Sequence, residues 1–226
     1  MISVDYSQIQ LRLLADVANV NTFRDTFNNG DDIHEQTARK IFGIAPTAPV
    51  PKEMRRAAKT INFSIIYGIS SFGLAGQLGV SRPAAAEIIN SYMSGIPEIK
   101  KYIDDIHKFA EQNACVYTPW GRRIELPEIK NPRMRAYAMR AAVNAPIQGF
   151  EADIVRRTMV EIDKNIIQPN RDIIKMIMQV HDEIIFECDA ARADEFAEKI
   201  KYAMENVTKI SVPLVAEYVI GTEWGK

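Results

Sequence analysis

The sequence contains little cysteine and little histidine. Of its 226 residues, two are cysteines, Cys115 and Cys188, and three are histidines. The cysteines lie far apart without metal-site spacing, so the chain has no disulfide framework and its composition favours a reducing compartment. The histidines are dispersed along the sequence, which argues against a zinc site.

Long apolar runs and an excess of one charge are also missing. No apolar stretch approaches the roughly 20 residues that a membrane-spanning helix needs. Asp5 interrupts the N-terminal segment where a signal peptide would have its apolar core. The formal net charge of −1 provides no global positive field toward nucleic acid. We therefore expect an ordinary globular protein of the cytoplasm with no membrane partner.

The sequence has no glycine-rich phosphate loop of the Walker type, which disfavours a P-loop enzyme. Against the neutral background, the segment 122–140 contains six basic and two acidic residues. A local basic strip is what a protein needs to follow a nucleic-acid backbone. A solvated helix face would explain the strip equally well.

Strand patterns lie near both ends of the chain, and helical patterns fill the middle. Residues 1–4 and 212–220 read as strands, and 173–180 with 183–188 read as a hairpin. Helices are predicted at 33–42, 52–67, 98–113, 132–147, 151–167 and 190–207, and Ser7 with Gln10 suggests a capping box for a further helix. We expect an α+β fold in which a helical lobe (21–149) is inserted into an antiparallel sheet built from 1–20 and 150–226.

Two aspartates, Asp5 and Asp182, stand at the ends of predicted strands. Magnesium prefers oxygen ligands and usually takes one or two carboxylates together with substrate phosphates. If the two aspartates share metal ions, the terminal strands must lie in one sheet. A lone aspartate at a strand end is more often a turn residue or a cap. Glu183 is a weaker candidate, either supporting the site or facing solvent.

Positions 55, 59, 63 and 67 are four residues apart, so on a helix they form one slowly turning stripe. Arg55 and Lys59 could bind phosphates, and Phe63 and Tyr67 could pack on a sugar and a base. The competing interpretation is an amphipathic helix that buries both aromatic rings in the core.

A second set of polar residues also repeats at a spacing of four. Arg140, Asn144 and Gln148 could contact a nucleic-acid backbone from one helix side, or could be ordinary surface polarity. His181 beside Asp182 could touch a primer end or simply shape the turn.

These segments resemble a known family. Residues 5–12 (DYSQIQLR), 55–68 and 179–183 (QVHDE) resemble motifs A, B and C of the family A DNA polymerases, which include bacterial DNA polymerase I and its phage and mitochondrial relatives. Asp31, Ile33 and His34, residues 117–123 and residues 144–149 also look like that family. The resemblance covers essentially the whole chain.

The resemblance implies the fingers and most of the palm of a right-hand polymerase. It implies template-directed addition of deoxynucleotides to a primer, with primer–template DNA and deoxynucleoside triphosphates as partners. Two Mg²⁺ ions, with Mn²⁺ as an expected substitute, would be held by Asp5, Asp182 and the Tyr6 carbonyl group. The implied nucleotide-binding residues are Gln8, Gln10, His34, Arg55, Lys59, Phe63 and Tyr67, with Lys59 and Glu183 also counted as catalytic. The implied DNA contacts are Arg140, Asn144, Gln148 and His181. The expected location is the nucleoid of a bacterial or phage-infected cell.

Two departures from the family pattern matter. The family usually has glutamate where this chain has Gln10, and that glutamate blocks the ribose 2′ position and hydrogen-bonds Tyr67. Glutamine keeps the bulk but loses the charge, so we expect weakened sugar discrimination.

The sequence also begins at motif A, whereas a thumb, upstream palm and any exonuclease domain would precede it. We therefore expect a truncated polymerase or one half of a split polymerase with a partner chain, and an exposed sheet edge. The alternatives are a non-catalytic DNA-binding remnant and an unrelated helical protein.

Overall fold

The computed structural model describes residues 1–224 and divides into two compact units. The first unit contains Met1–Leu13 and the chain from Gln148 onward, and the second contains Leu14–Ile147. The boundaries predicted from the sequence, after residues 20 and 149, differ from these divisions after Leu13 and Ile147. The names palm and fingers for the two parts stay predictions.

The first unit is built on a four-stranded antiparallel sheet. Its strands are β1 (Ile2–Tyr6), β4 (Ile174–Val180), β5 (Glu183–Cys188) and β6 (Ala216–Ile220), in the spatial order β4-β5-β1-β6. This arrangement confirms that the strands near both chain ends form one sheet. In β1, Ile2, Val4 and Tyr6 are buried while Ser3 and Asp5 are half-buried, as expected when side chains alternate between two faces.

Two helices support this sheet on its buried side. Helix α9 (Ala193–Asn206) packs against β1 and β6 and buries Phe196, Ile200 and Met204 at helical spacing. The Tyr6 hydroxyl donates to the Met204 carbonyl at 2.8 Å and shares a 2.8 Å hydrogen bond with Thr158 of helix α8 (Arg135–Ile162). The Tyr6 side chain thus fixes the end of β1 that carries Asp5.

The start of helix α1 (Ile9–Val17) differs from the predicted capping box. Gln8 has a φ of +55°, and its carbonyl group accepts the first helical hydrogen bonds from Leu11 and Arg12. Because Gln8 therefore occupies the N-cap position, the prediction of Ser7 as the cap was wrong. The Ser7 carbonyl group instead accepts from the buried Arg12 guanidinium, which also donates to the Pro213 carbonyl group.

Helix α8 also corrects a prediction. It runs continuously over 28 residues through Pro146, where two separate helices, 132–147 and 151–167, were expected. Pro146 cannot donate a backbone hydrogen bond and normally kinks or ends a helix. Burial of Ala142, Val143 and Ile147 around it favours continued helix over local preference. The last predicted turns, Asp163–Ile167, form a π-helical segment.

The second unit is mainly helical. It contains α2 (Asn21–Asn28), α3 (Ile33–Phe42), α4 (Lys52–Ile66), α5 (Ser71–Leu78), α6 (Arg82–Gly95), α7 (Pro97–Asn113) and a hairpin of β2 (Cys115–Tyr117) and β3 (Arg123–Glu125). The prediction for α3 is confirmed, since Asp32 caps its start and Gly43, with φ +64°, ends it. Helix α2 was not predicted. A small core around Ala110, Val116 and Leu126 supports the hairpin.

Over the part of the chain that the structure describes, no helix combines the length and apolar character needed to cross a membrane.

Candidate functional site

The register of the first unit brings Asp5 and Asp182 to neighbouring positions. Asp5 of β1 lies opposite Glu183 of β5, and the backbone N–H of Tyr6 donates to the Asp182 carbonyl group at 3.3 Å. Asp182 itself occupies the two-residue turn between β4 and β5. β1 and the β4–β5 turn therefore bring Asp5 and Asp182 to one end of the sheet, although the two residues are 177 positions apart in the sequence (182 − 5).

The electrostatics of Asp182 reflect this crowding. Partial burial raises the pKa of Asp182, and the negative charge of Asp5 raises it further. Its own backbone N–H and the neighbouring His181 oppose the shift. Two half-buried carboxylates that repel each other form a site that favours a cation.

The two aspartates suit a magnesium ion that is completed by water and substrate phosphates better than a metal ion that is held by protein ligands alone. Among residues 1–224, no group of three or more histidine, cysteine, aspartate or glutamate side chains could hold a metal ion. Magnesium commonly binds one or two carboxylates and completes its shell with water and substrate phosphates. The pair of aspartates, Asp5 and Asp182, matches this donor set.

Glu183 faces the same side of the sheet as Asp5 but is already engaged. Its Oε1 accepts hydrogen bonds from Ser3 Oγ and, at 3.4 Å, from Trp224 Nε1. These contacts favour a supporting position for Glu183 over a direct metal contact.

Two predicted site residues of the first unit have a strained backbone. Gln8 and His181 each have a φ of +55°, a left-handed conformation that side chains other than glycine adopt at a cost of about 1–2 kcal/mol. Gln8 precedes α1, and His181 is the first residue of the β4–β5 turn. Such strain concentrates at functional sites because the surrounding structure must hold it in place. In addition, the buried Gln8 Oε1 has no hydrogen-bond partner among the described residues.

Gln10 lies on α1 and makes a contact that the sequence did not suggest. Its Nε2 donates to Glu151 Oε2 of α8 at 2.8 Å. Burial raises the pKa of Glu151, the hydrogen bond from Gln10 opposes that shift, and the charge of Asp182 adds to it. Glu151 was missed because nothing in the local sequence of α8 distinguishes it from the other polar residues there, such as Gln148 and Asp153.

In the second unit, the predicted stripe lies on the more exposed side of α4. Lys59 is exposed, Arg55 and Phe63 are half-buried, and Tyr67 is 37% exposed just past the end of the helix. The opposite side of the helix buries Ala58, Ile61, Asn62 and Ile65. The interpretation that buries both aromatic rings in the core is therefore wrong.

Arg55 makes an ion pair within this unit. Its guanidinium donates to Asp32 Oδ2 from Nε at 2.8 Å, with Nη2 at 2.6 Å from the same oxygen. Burial by itself would raise the pKa of Asp32, but the bond from Arg55 and the backbone N–H groups of Glu35 and His34 lower it. Arg55 is thus held in place by the residue that caps α3.

His34 lies deep in the second unit, not on its surface. It is 2% exposed, and its Nδ1 accepts a 3.1 Å hydrogen bond from Asn62 Nδ2. Asn62 also bonds Thr37 and Tyr92. Burial lowers the pKa of His34 to about 4, so the imidazole is neutral at pH 7. Its ring lies 6.0 Å from the ring of Phe63, at an interplanar angle of 47°.

The predicted DNA contacts have different surroundings. Arg140 is exposed and borders a cavity of about 630 Å³ that is also lined by Phe63, Tyr67 and Gly68. Gly68 has a φ of +66°, and a Cβ there would lie 3.0 Å from Arg140 Cγ, so this contact requires glycine. Gln148 is exposed on α8. Asn144 is half-buried, and its Oδ1 has no hydrogen-bond partner among the described residues.

Comparison with known proteins agrees with the motifs. The sequence model of DNA polymerase family A matches residues 1–226. The chain is 43% identical to DNA polymerase I of Rhizobium leguminosarum, over 99% of this chain and 23% of that protein. It is 42% identical to DNA polymerase I of Caldicellulosiruptor bescii, over 99% of this chain and 26% of that protein. The chain thus spans about a quarter of the length of these curated relatives.

A solved structure shows the same fold. The POL domain of Pol1 from M. smegmatis, in complex with DNA primer-template and dNTP, superposes with a TM-score of 0.88 at 33% identity. The alignment covers 96% of this chain and 38% of that one. The likeness confirms the predicted α+β class.

Proposed function

Since the chain belongs to DNA polymerase family A, we propose that it forms the catalytic part of a template-directed DNA polymerase. The primer 3′ oxygen would bond to the α-phosphorus of a deoxynucleoside triphosphate, and the bond from that phosphorus to pyrophosphate would break. The observation that carries the proposal is the placement of Asp5 and Asp182 at one end of the sheet, where their charges repel.

Asp5, Asp182 and the Tyr6 carbonyl group are the proposed holders of two Mg²⁺ ions, for which Mn²⁺ could substitute. Bound there, the metal ions would lower the pKa of the primer hydroxyl and stabilise the charge on the leaving pyrophosphate. Neighbouring residues fix the backbone and side chains around the two aspartates. Tyr6 anchors β1 through its buried hydroxyl, and Ser3 with Trp224 holds Glu183 beside it.

In the second unit, the exposed side of α4 is the proposed triphosphate-binding surface. Lys59 would neutralise phosphate oxygens as a point charge, and Arg55 would do so through its planar fork. Arg55 would exchange its bond to Asp32 for one to phosphate or share the two. Phe63 and Tyr67 present ring surface for the sugar and base. In the first unit, Gln8 and Gln10 are proposed to line the nucleotide.

Arg140, Asn144, Gln148 and His181 are the proposed contacts to primer–template DNA. The unpartnered Asn144 Oδ1 and the exposed side chains of Arg140 and Gln148 suit polar contacts to a backbone or base edge. The likeness to bacterial polymerases suggests work on the nucleoid in the cytoplasm. The comparisons give no support for a separate partner chain.

Primer extension tests this proposal directly. The purified chain is incubated with a labelled primer–template, magnesium and the four deoxynucleotides. We expect extension by the wild-type chain, loss of extension in Asp182→Ala, and retention in Asp189→Ala. Asp189 is an exposed carboxylate at the other end of β5, which makes it a matched control.

DNA binding without extension would favour a non-catalytic remnant, provided that a supplied thumb-plus-upstream-palm fragment fails to restore activity. Extension that appears only with that fragment would show a working but incomplete site. Extension that survives in Asp182→Ala would refute the assignment of the carboxylates.

A further inference from the structure

The hydrogen bond between Gln10 and Glu151 fixes the orientation of a side chain that is proposed to line the nucleotide. Gln10 Nε2 donates to Glu151 Oε2 at 2.8 Å, and both side chains are partly buried. A carboxylate accepts hydrogen bonds but cannot donate them. The amide nitrogen of Gln10 is therefore directed toward Glu151, and the amide oxygen is directed away from it.

The bond also restricts the rotation of Gln10. A glutamine side chain has three rotatable bonds and keeps most of its rotamer freedom on a helix surface unless a contact fixes it. A bond to an ionised partner is among the stronger hydrogen bonds in a protein. Glu151 therefore keeps Gln10 in one position, and blocking a 2′-hydroxyl by bulk requires a side chain that cannot swing aside.

Glu151 also supplies a carboxylate next to a position where this chain has a neutral side chain. Relatives usually have a glutamate at the position of Gln10, as the motif resemblance implies. Here the negative charge lies one hydrogen bond away, on α8. Gln10 thus provides the bulk of the family's glutamate, and Glu151 provides its negative charge.

We propose that Glu151 is a positioning residue for sugar discrimination, acting by holding Gln10 against the ribose 2′ position. This inference rests on the proposed polymerase function. It predicts that discrimination depends on Glu151, although Glu151 itself need not touch the nucleotide.

The test compares incorporation of deoxynucleotides and ribonucleotides by the wild-type chain and by Glu151→Ala and Glu151→Gln. The ratio of kcat/KM for the two sugars is the readout, because a general loss of activity or metal binding cancels in it. Losing a hydrogen bond to a charged partner should lower this ratio about tenfold in Glu151→Ala. Glu151→Gln keeps an acceptor oxygen and should retain the ratio within about threefold.

Glu161→Ala is the matched control, because Glu161 is another α8 carboxylate that accepts an amide hydrogen bond, from Asn165 at 3.0 Å. Its sugar ratio should equal that of the wild type. An unchanged ratio in Glu151→Ala, or an equal fall in Glu161→Ala, would overturn the inference.

A second readout needs no catalysis. The side-chain amide of Gln10 should give a shifted nitrogen resonance in the wild-type chain that moves to the position of a solvated glutamine in Glu151→Ala. If the wild-type chain extends no primer either alone or with the supplied thumb-plus-upstream-palm fragment, the proposed function fails while this resonance still reports the bond. If extension occurs and the resonance already resembles solvated glutamine, the inference alone fails.

Discussion

Replacing Asp182 by asparagine should stabilise the fold in the absence of metal and remove its response to magnesium. Asp5 of β1 lies opposite Glu183 of β5, Asp182 precedes Glu183 in the β4–β5 turn, and partial burial and the charge of Asp5 raise the pKa of Asp182. Two unit charges about 7 Å apart would repel by roughly 0.6–2.4 kcal/mol for effective dielectric constants of about 80 to 20.

Because solvent reaches this half-buried pair, the expected gain lies toward the lower value, about 1 kcal/mol. For a chain of this size, that gain raises the melting temperature by roughly 2–4 °C. Magnesium at about ten times its dissociation constant should add about 1.4 kcal/mol to the wild-type chain. The asparagine variant lacks one of the two charges and should lose most of that addition.

The pH dependence has a definite sign. Since the pKa of Asp182 is raised in the folded state, the proton binds more tightly to the folded than to the unfolded chain. The stability gained by protonation is complete below the ordinary carboxyl pKa of about 4 and is lost as the pH rises through the raised pKa. The advantage of Asp182→Asn should therefore be largest above the raised pKa and shrink toward pH 4.

Thermal unfolding of the wild type, Asp182→Asn and Asp189→Asn, with and without magnesium at pH 7.5 and pH 5, measures these effects. Asp189 is exposed and should leave both the melting temperature and the magnesium response unchanged. Equal magnesium stabilisation of the wild type and Asp182→Asn, or a metal-free Asp182→Asn that melts below the wild type, would refute the reasoning.

Other changes test the remaining parts of the site. Lys59→Ala should weaken triphosphate binding about tenfold without altering the melting temperature, whereas Arg56→Ala on the same helix should change neither, as measured by titration calorimetry. Asn62→Ala should cost about 3 kcal/mol in urea unfolding, because Asn62 is fully buried and its loss leaves His34 and other polar groups without partners; a cost under about 1 kcal/mol would contradict this. His181→Gly should be more stable than His181→Ala by about 1 kcal/mol, since glycine adopts positive φ without strain; equal unfolding midpoints would show that the turn is relaxed.

Features that depend on residues close together in the sequence were mostly predicted, whereas most features that depend on distant residues were not. Helix α3 was predicted to the residue because Gly43 marks its end in the local sequence. That the strands near both chain ends share one sheet followed from the strand patterns and the requirement that two carboxylates meet, whereas the pairing of β1 with β5 was not predicted. The continuous helix through Pro146 was missed because burial of its neighbours overrides the local preference of proline.

The site residues likewise differ in whether a local pattern or a distant contact identifies them. Asp5, Asp182 and the stripe on α4 stand in strong local patterns and could be identified from them. Glu151 could not, because its significance lies in a contact with a residue 141 positions away. Likewise, the burial of His34 depends on Asn62 of another helix, which no local pattern reports.

The order of the strands has a consequence for how the protein is made. β1 lies between β5 and β6, and its Ser3 meets Glu183 across 180 residues. At a synthesis rate of about 5–20 residues per second, β1 waits roughly 10–40 seconds for that partner strand. The unit Leu14–Ile147 is continuous in sequence and can fold as it leaves the ribosome, whereas the sheet that joins Asp5 to Asp182 forms only after β5 has been synthesised. A ribosome that stalls before β5 therefore leaves a chain with the helical unit folded, β1 without its partner strands β5 and β6, and Asp5 without Asp182.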